Sequence, residues 1–134
     1  MSLVIERPDG ILLVRRPEGD ESLPGLWGLP AVSLADDESE EDAVRRAGRQ
    51  KLGVEVRPLR ELGGAQDERP AYLIHMRDWE AEIVSGDPAV PQQAGGTQYT
   101  DLRWGKLVDL LPAARAGSLC SRVLVQARGL RWQP

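Results

Sequence analysis

Lys51 is the residue whose position in this sequence most clearly indicates chemistry. Six of the eight residues over 35–42 are acidic, and basic residues follow them. This order suits the dipole of a helix over 39–52 that ends at Gly53. On a wheel of 100° per residue, Lys51 falls on the apolar half of that helix, and Gln50 borders the same half. An ammonium group there either extends past the core to solvent or points into a cleft, where it would attract an anion such as phosphate.

Two consecutive arginines, Arg15 and Arg16, are further candidates for phosphate binding. They follow the apolar run 11–14, which predicts a strand. Alternation along a strand sends neighbouring side chains to opposite faces, so at most one of the two can easily face the same ligand as Lys51. The alternative is that both arginines lie in solvent at the end of the strand.

Composition excludes several other kinds of site. The 134 residues include one histidine, His75, and one cysteine, Cys120. A metal site with two histidine ligands or two cysteine ligands is therefore excluded. An internal disulfide is excluded as well. The formal net charge of −4 argues against a nucleic-acid groove, which needs a clear excess of Lys and Arg.

Length and patterning predict one cytoplasmic domain over 1–134. Hydrophobic residues make up 41% of the chain, which is enough for one core. No apolar run exceeds four residues, whereas a membrane-spanning helix needs roughly 20. Glu6 and Pro8 stand where an export signal would need an unbroken apolar stretch. We therefore expect no membrane partner.

The remaining patterns predict a mixed α/β fold. Strands are expected at 3–6, 11–15, 54–62, 71–84 and 99–104. Further helices are expected at 107–114, stopped by Pro112, and at 119–128. The Gly-, Pro- and Gln-rich segment 85–98 predicts an irregular loop, which either borders a functional site or is a tolerated insertion. Strands before, between and after helices indicate a mixed sheet with helices on its faces.

From 29 to 54 the chain resembles the Nudix box. That pattern is Gly, five residues, Glu, seven residues and then Arg-Glu-bulky-any-Glu-Glu-any-Gly-bulky. Glu38, Arg46, Gly53 and Val54 lie at the family spacing, and the flanking segments ILLVRRP and PGLWGLP also resemble the family. The resemblance covers nearly the whole chain. It implies an α/β/α sandwich that uses divalent cations, usually Mg²⁺, to hydrolyse a nucleoside diphosphate linked to another group.

The chain departs from this pattern where the family binds its metal. Carboxylates at positions 47, 50 and 51 would converge on one side of a helix and present oxygens to hard cations. This chain has Ala47, Gln50 and Lys51 there, and it also has Val32 and Gly48 in place of the motif's first glycine and first bulky residue. A protonated lysine is repelled by a divalent cation and cannot act as its ligand. We therefore expect no metal at this site.

The two family-matched catalytic residues, Glu38 and Arg46, have a simpler role available. A carboxylate and a guanidinium at this spacing can form a salt bridge that ties the loop to the helix, and such a pair needs no catalysis. The sequence therefore predicts a structural ion pair here, with direct chemistry as the alternative.

These observations support three functional hypotheses. The first is a Nudix-like domain that binds a nucleotide or another phosphorylated small molecule through Arg15 or Arg16, Gln50 and Lys51, with weak or no hydrolase activity. The second is an active Mg²⁺-dependent pyrophosphohydrolase with non-standard ligands among residues 36–41. The third is a base or nucleic-acid recognition module, because PGLWGLP also resembles the carboxy-terminal domain of adenine-specific DNA glycosylases, which lacks the metal site. The family resemblance also allows a homodimer.

Overall fold

A computed structural model describes residues 1–91 and 99–133. Within them the strands are β1 (Ser2–Val4), β2 (Glu6–Arg7), β3 (Gly10–Arg15), β4 (Trp27–Gly28), β5 (Glu55–Glu68), β6 (Leu73–Ser85) and β7 (Asp101–Gly105). The α-helices are α1 (Glu40–Ala47), α2 (Leu111–Ala116) and α3 (Leu119–Ala127). A π-helical turn (Gly48–Leu52) continues α1, and a 3₁₀ turn (Leu107–Leu110) precedes α2. None of the helices in these two described ranges is long and apolar enough to cross a bilayer.

The strands form two sheets. In one sheet β1 pairs in parallel with β6, and β6 pairs antiparallel with β5 in a long hairpin. In the other sheet β3 pairs antiparallel with β2, β4 and β7. The mixed sheet predicted from the sequence is therefore present.

Side chains of β1 and β3 alternate between two apolar clusters. The cluster next to α1 includes Leu3, Leu12, Val14, Val44 and Leu52. The cluster next to α3 includes Val4, Ile11, Leu13, Leu110 and Leu124. Neighbouring residues of these strands therefore enter different clusters, and both faces of each strand are covered. This is why the sequences of the strands are continuous apolar runs.

The predicted helix over 39–52 is present. Ser39 begins it, since its Oγ accepts a hydrogen bond from Asp42 N–H at 3.1 Å. Gly53 ends it with a φ of 67°, the left-handed conformation that glycine adopts without strain. The pattern did not predict that the last turn, Gly48–Leu52, would be π-helical.

The prediction that Pro112 stops a helix over 107–114 is wrong. Helix α2 begins at Leu111, so Pro112 lies in its first turn and not at its end. The first N–H groups of a helix have no intrahelical acceptor. Proline, which has no N–H group, therefore costs the helix no hydrogen bond at this position. The helix instead ends at Gly117, which has a φ of 114°.

The predicted loop over 85–98 lies partly outside the described residues, which omit 92–98 and with them Gln92, Gln93 and Gln98. Within the described part, the N–H of Ala89 donates to Leu52 O at 3.0 Å. The start of this loop is therefore attached to the end of the π-helical turn.

Gly48 allows the α1 segment to lie close to β5. A Cβ atom at this position would lie 2.9 Å from Val56 Cγ2 and 3.2 Å from Val54 O. Both distances are shorter than an ordinary van der Waals contact. The contact with Val56 explains why glycine occupies a position where the Nudix box has a bulky residue.

We expect Gly48→Leu to lower the free energy of unfolding by about 1–3 kcal/mol, because it overpacks this contact. Urea unfolding of the variant would measure the change. Val56→Ala should make room for the new side chain, so Gly48→Leu should be less destabilising in that background. Equal effects of Gly48→Leu in both backgrounds would contradict the packing explanation.

Candidate functional site

Glu38 and Arg46 form a bidentate ion pair between the loop before α1 and the helix itself. Arg46 Nε donates to Glu38 Oε2 and Arg46 Nη2 donates to Glu38 Oε1, each at 2.9 Å. The same Nη2 donates to Ser33 O at 2.6 Å, and Ala35 N–H donates to Glu38 Oε1 at 3.0 Å. The bonds from Arg46 and Ala35 lower the pKa of Glu38 from 4.5 to about 2. The geometry is that of the ion pair predicted from the sequence.

Lys51 is buried on the apolar side of the α1 segment. The residue is only 8% exposed, and its Nζ lies 5.7 Å from the centre of the Tyr99 ring. Burial lowers the pKa of Lys51, and the positive charges of Arg16 and Arg46 lower it further. An anion beside Nζ would oppose this shift, because it favours the protonated form.

Tyr99 is a site residue that the sequence analysis missed. It is buried, and its hydroxyl oxygen accepts a hydrogen bond from Ala31 N–H at 3.0 Å. It packs in the same apolar cluster as Ala47, so position 47 is enclosed by the core. One tyrosine at the start of a predicted strand has no spacing pattern that would have marked it. We call Arg16, Arg46, Lys51 and Tyr99 the basic cluster.

Gln50 faces Arg46. Its Oε1 accepts a hydrogen bond from Arg46 Nη1 at 3.2 Å, and the residue is exposed. The side-chain carbonyl of Gln50, a predicted phosphate-site group, therefore accepts from the guanidinium of Arg46. In the part of the chain that the structure describes, this hydrogen bond to Arg46 is what connects Gln50 with the basic cluster.

The two neighbouring arginines diverge, as strand alternation requires. Arg15 Nε donates to Gly25 O at 3.0 Å, and its guanidinium pairs with Glu18. Arg16 Nη1 lies 3.3 Å from Asp20 Oδ1, and its charge contributes to the lowered pKa of Lys51. Arg16, and not Arg15, therefore belongs to the basic cluster.

A cavity of about 350 Å³ opens beside Arg16. The loop between β3 and β4, strand β6 and the start of α3 form its walls. Its lining includes Leu23, Ala31, Ile74, Met76, Ser118 and Cys120. The lining also includes a second guanidinium, that of Arg69. A cavity that combines apolar side chains with cationic groups suits a ligand that has an organic part and an anionic part.

The side chains around the α1 segment do not fit a divalent cation. Across residues 1–91 and 99–133, no three His, Cys, Asp or Glu side chains are placed to hold a metal ion. Glu38 is bonded to Arg46 as described above. Glu40 accepts a hydrogen bond from Trp79 Nε1 at 3.0 Å and pairs with Arg77 at 3.3 Å. Two of the carboxylates considered as replacement ligands are therefore bonded to other groups.

Asp78 is a buried carboxyl group that the sequence analysis also missed. It lies on β6, fully buried, and Ser2 Oγ donates to its Oδ1 at 2.7 Å. Its Oδ2 has no hydrogen-bond partner among the described residues. Burial raises the pKa of Asp78 from 3.8 to about 7. The neutral acid is therefore the form that this position favours below pH 7.

Comparison with known proteins gives a family match over most of the chain. The family model described as NUDIX domain matches residues 1–118. The protein named NAD-capped RNA hydrolase NudC from Pseudomonas aeruginosa LESB58 is 34% identical over 125 residues, which cover 93% of this chain and 41% of that relative. The CTP pyrophosphohydrolase of Escherichia coli K12 is 32% identical over 86 residues, which cover 64% of this chain and 63% of that relative. The chain thus spans about two fifths of the length of the NudC relative.

Solved structures share the fold over nearly the whole chain. A NUDIX hydrolase from Nitrosomonas europaea superimposes with a TM-score of 0.71 at 20% identity and covers 96% of this chain and 86% of its own. The solution structure of the E. coli ORF135 protein gives a TM-score of 0.65 at 27% identity, with coverages of 95% and 89%. These similarities confirm the α/β/α fold class predicted from the sequence.

We expect Glu38→Gln to lower the Tm by a few degrees at pH 7, because Arg46 would lose its charged partner. The folded pKa of about 2 lies below the usual 4.5. The stabilisation from the pair is therefore complete above about pH 4.5 and is lost as the pH falls toward 2. Thermal unfolding of the unaltered protein and the variant from pH 2 to pH 7 would measure this difference.

The control is Glu41→Gln, which removes an exposed carboxylate of the first turn of α1. Its effect on Tm should be much smaller at pH 7. Similar effects of the two substitutions would show that the Glu38 ion pair does not stabilise the fold.

Proposed function

The chain belongs to the Nudix family, and from this premise we propose that it binds a nucleotide or another phosphorylated small molecule at the basic cluster. We further propose that it does so without a divalent cation and with weak or no hydrolase activity. The observation that carries the proposal is that Lys51, a buried residue, occupies a position where the Nudix box has a glutamate. A glutamate there would hold a cation that in turn holds the phosphates. A lysine supplies the positive charge itself.

Electrostatics favour an anion beside Lys51. The lowered pKa of Lys51 arises from burial and from two neighbouring guanidinium groups. Opposite unit charges 4 Å apart attract each other by about 4 kcal/mol at an effective dielectric constant near 20. A phosphate would therefore relieve the repulsion within the basic cluster, and its binding should be accompanied by retention of the Lys51 proton.

Arg16 can supply a second contact to the same anion. The planar fork of a guanidinium matches two oxygens of a phosphate in a bidentate geometry, which the ammonium group of lysine does not provide. Its present partner, Asp20, also accepts hydrogen bonds from the N–H groups of Ser22 and Leu23, at 3.2 and 2.8 Å. Asp20 would keep these partners if Arg16 turned toward a ligand, so the exchange leaves no unpaired carboxylate.

The cavity beside Arg16 would take the rest of the ligand. Its volume of about 350 Å³ falls at the small end of the range for small-molecule sites. NAD-capped RNA and CTP, in the names of the two relatives, both contain nucleotides. These names favour a nucleotide over other phosphorylated molecules.

The proposal of weak hydrolysis follows from the side chains around the position beside Lys51 at which we place the phosphate. Ala47 has no polar side-chain atom, and the Gln50 carbonyl accepts from Arg46. Glu38, with a pKa of about 2 and both oxygens accepting hydrogen bonds, is a weak base for activating water. No carboxylate in this set is available to help a metal ion lower the pKa of a bound water.

We expect Arg16→Ala to weaken binding of inorganic pyrophosphate and of nucleoside diphosphates by about 10- to 100-fold, because it removes a charge-assisted contact. Calorimetric titration in the presence of EDTA would measure the affinities. Arg15→Ala is the matched control, since Arg15 is the adjacent arginine and points to Gly25 O and Glu18. Equal losses in the two variants, or no binding by the unaltered protein without metal, would contradict the proposal.

We expect the double variant Gln50→Glu, Lys51→Glu to gain stabilisation by Mg²⁺, because it restores two adjacent carboxylates at box positions where the family binds its metal. Ala47 is left unchanged because it is fully buried. The measurement is Tm with and without Mg²⁺, and Gln50→Ala, Lys51→Ala is the control that lacks the new carboxylates.

Hydrolysis assays on the same proteins distinguish the second hypothesis. The unaltered protein should release little or no product from a panel of nucleoside diphosphate derivatives with Mg²⁺ or Mn²⁺. Robust metal-dependent release that Glu38→Gln abolishes would overturn the proposal and support ligands among residues 36–41.

A further inference from the structure

The charges of this chain are distributed unevenly. The net charge of −4 is an average over 21 acidic and 17 basic residues. Residues 102–133 contain one acidic residue, Asp109. They contain six basic residues, which are Arg103, Lys106, Arg115, Arg122, Arg128 and Arg131. This part of the chain is therefore basic, although the chain as a whole is acidic.

The basic residues lie on elements that pack side by side. Helix α2 contacts both β4 and α3. Beside α3, Arg115 Nε donates to Trp132 O at 3.1 Å, and the Arg122 guanidinium lies over the Trp132 ring. Beside β4, the Arg103 guanidinium lies over the Trp27 ring. Both tryptophans pack against the apolar cluster next to α3. The basic residues are therefore gathered around α2 on one side of the molecule.

Carboxylates neutralise only two of the six cations. Arg128 pairs with Glu6, and Arg103 lies 3.6 Å from Asp109. Across 1–91 and 99–133, no ion pair involves the other four, which are Lys106, Arg115, Arg122 and Arg131. We call Arg103 and these four residues the cationic face. Positive charge that is not compensated in this way attracts a polyanion.

We propose that the cationic face binds a single-stranded polynucleotide, with phosphates at its cations and bases stacked on its guanidinium groups. Each nucleotide of such a strand carries one phosphate. Proteins that bind single strands combine positive charge along the backbone with flat groups on which bases stack. The cationic face shares no residue with the basic cluster, so phosphate binding at the basic cluster is not required here.

Two arginines of the cationic face provide flat stacking surfaces as well as charge. Arg103 Cζ lies 4.3 Å from the centre of the Trp27 ring, and Arg122 Cζ lies 3.8 Å from the centre of the Trp132 ring. Each guanidinium therefore has one plane against an indole ring and one plane directed away from it. Unstacked bases of single strands stack on guanidinium planes of this kind. An acidic protein would use the charges and not the planes, so the two stacks favour a polynucleotide.

The first measurement is fluorescence anisotropy with labelled oligouridylate and oligothymidylate of about twelve nucleotides, a length within the usual site sizes. We expect micromolar dissociation constants in ~50 mM salt with EDTA. Binding should weaken roughly 10- to 50-fold in ~200 mM salt, because about four phosphates are neutralised. Tighter binding of oligouridylate would identify RNA as the ligand, and tighter binding of oligothymidylate would identify DNA. Failure of both strands to bind in the lower salt would overturn the proposal.

The double variant Arg115→Ala, Arg131→Ala should weaken binding of both strands by about tenfold or more, because it removes two exposed cations of the face. The matched control is Arg57→Ala, Arg60→Ala, which removes two exposed cations of β5. Its effect should stay below about twofold, since distant exposed charges are largely screened. Equal losses would overturn the proposal, because only net charge would then matter. Pyrophosphate binding at the basic cluster should not change in either variant, so failure here is distinguishable from failure of the proposed function.

Arg103→Lys tests the stacking, because it keeps the positive charge and removes the guanidinium plane. It should weaken binding of the two oligonucleotides by roughly 3- to 10-fold. Inorganic polyphosphate, which has phosphates and no bases, should bind this variant and the unaltered protein equally. Equal weakening for all three probes, or no weakening for any of them, would contradict base stacking at the cationic face. Polyglutamate that binds as tightly as the oligonucleotides would overturn the choice of a polynucleotide.

Discussion

The guanidinium of Arg46 is the contact on which the arrangement of the candidate site depends. It donates to both oxygens of Glu38, to Ser33 O and to Gln50 Oε1. A planar group with five donors can hold three partners at once, which an ammonium of lysine cannot do in the same geometry. The loop over 33–38 is thereby held against α1. The same guanidinium orients the Gln50 side chain and contributes to the positive potential at Lys51.

The position of Lys51 gives the site an electrostatic character opposite to that of a metal-binding Nudix site. The burial of Lys51 and Tyr99 in the described structure encloses the surface on which carboxylates at 47, 50 and 51 would have converged. A cation is disfavoured there and an anion is favoured. The chain keeps the family fold and spacing while the side chains at positions 47, 50 and 51 differ from those of the Nudix box, since a fold does not determine the groups displayed on it.

Local signals predicted the α1 segment well, and they did so because the causes are local. Ser39 and Gly53 act within one turn of their own positions, and the alternation of acid and base acts through the dipole of the same helix. The alternation of Arg15 and Arg16 is likewise a property of one strand. Pro112 shows the limit of such signals. Proline is compatible with the first turn of a helix and not with its interior, and the sequence did not reveal where α2 begins.

The sequence by itself determined the fold class, the α1 segment, the ion-pair partners Glu38 and Arg46, and the loss of three carboxylates from the Nudix box. Only the tertiary structure decided that Arg16 and not Arg15 lies near Lys51. It also decided that the Tyr99 ring lies beside the ammonium group of Lys51 and that Asp78 is a buried acid. Gly48 also needed the structure for its explanation, because Val56 occupies the space beside it. The physical reason is the same in each case. Charge, capping and periodicity act between near neighbours in the chain, whereas burial and pKa depend on which distant segments pack together.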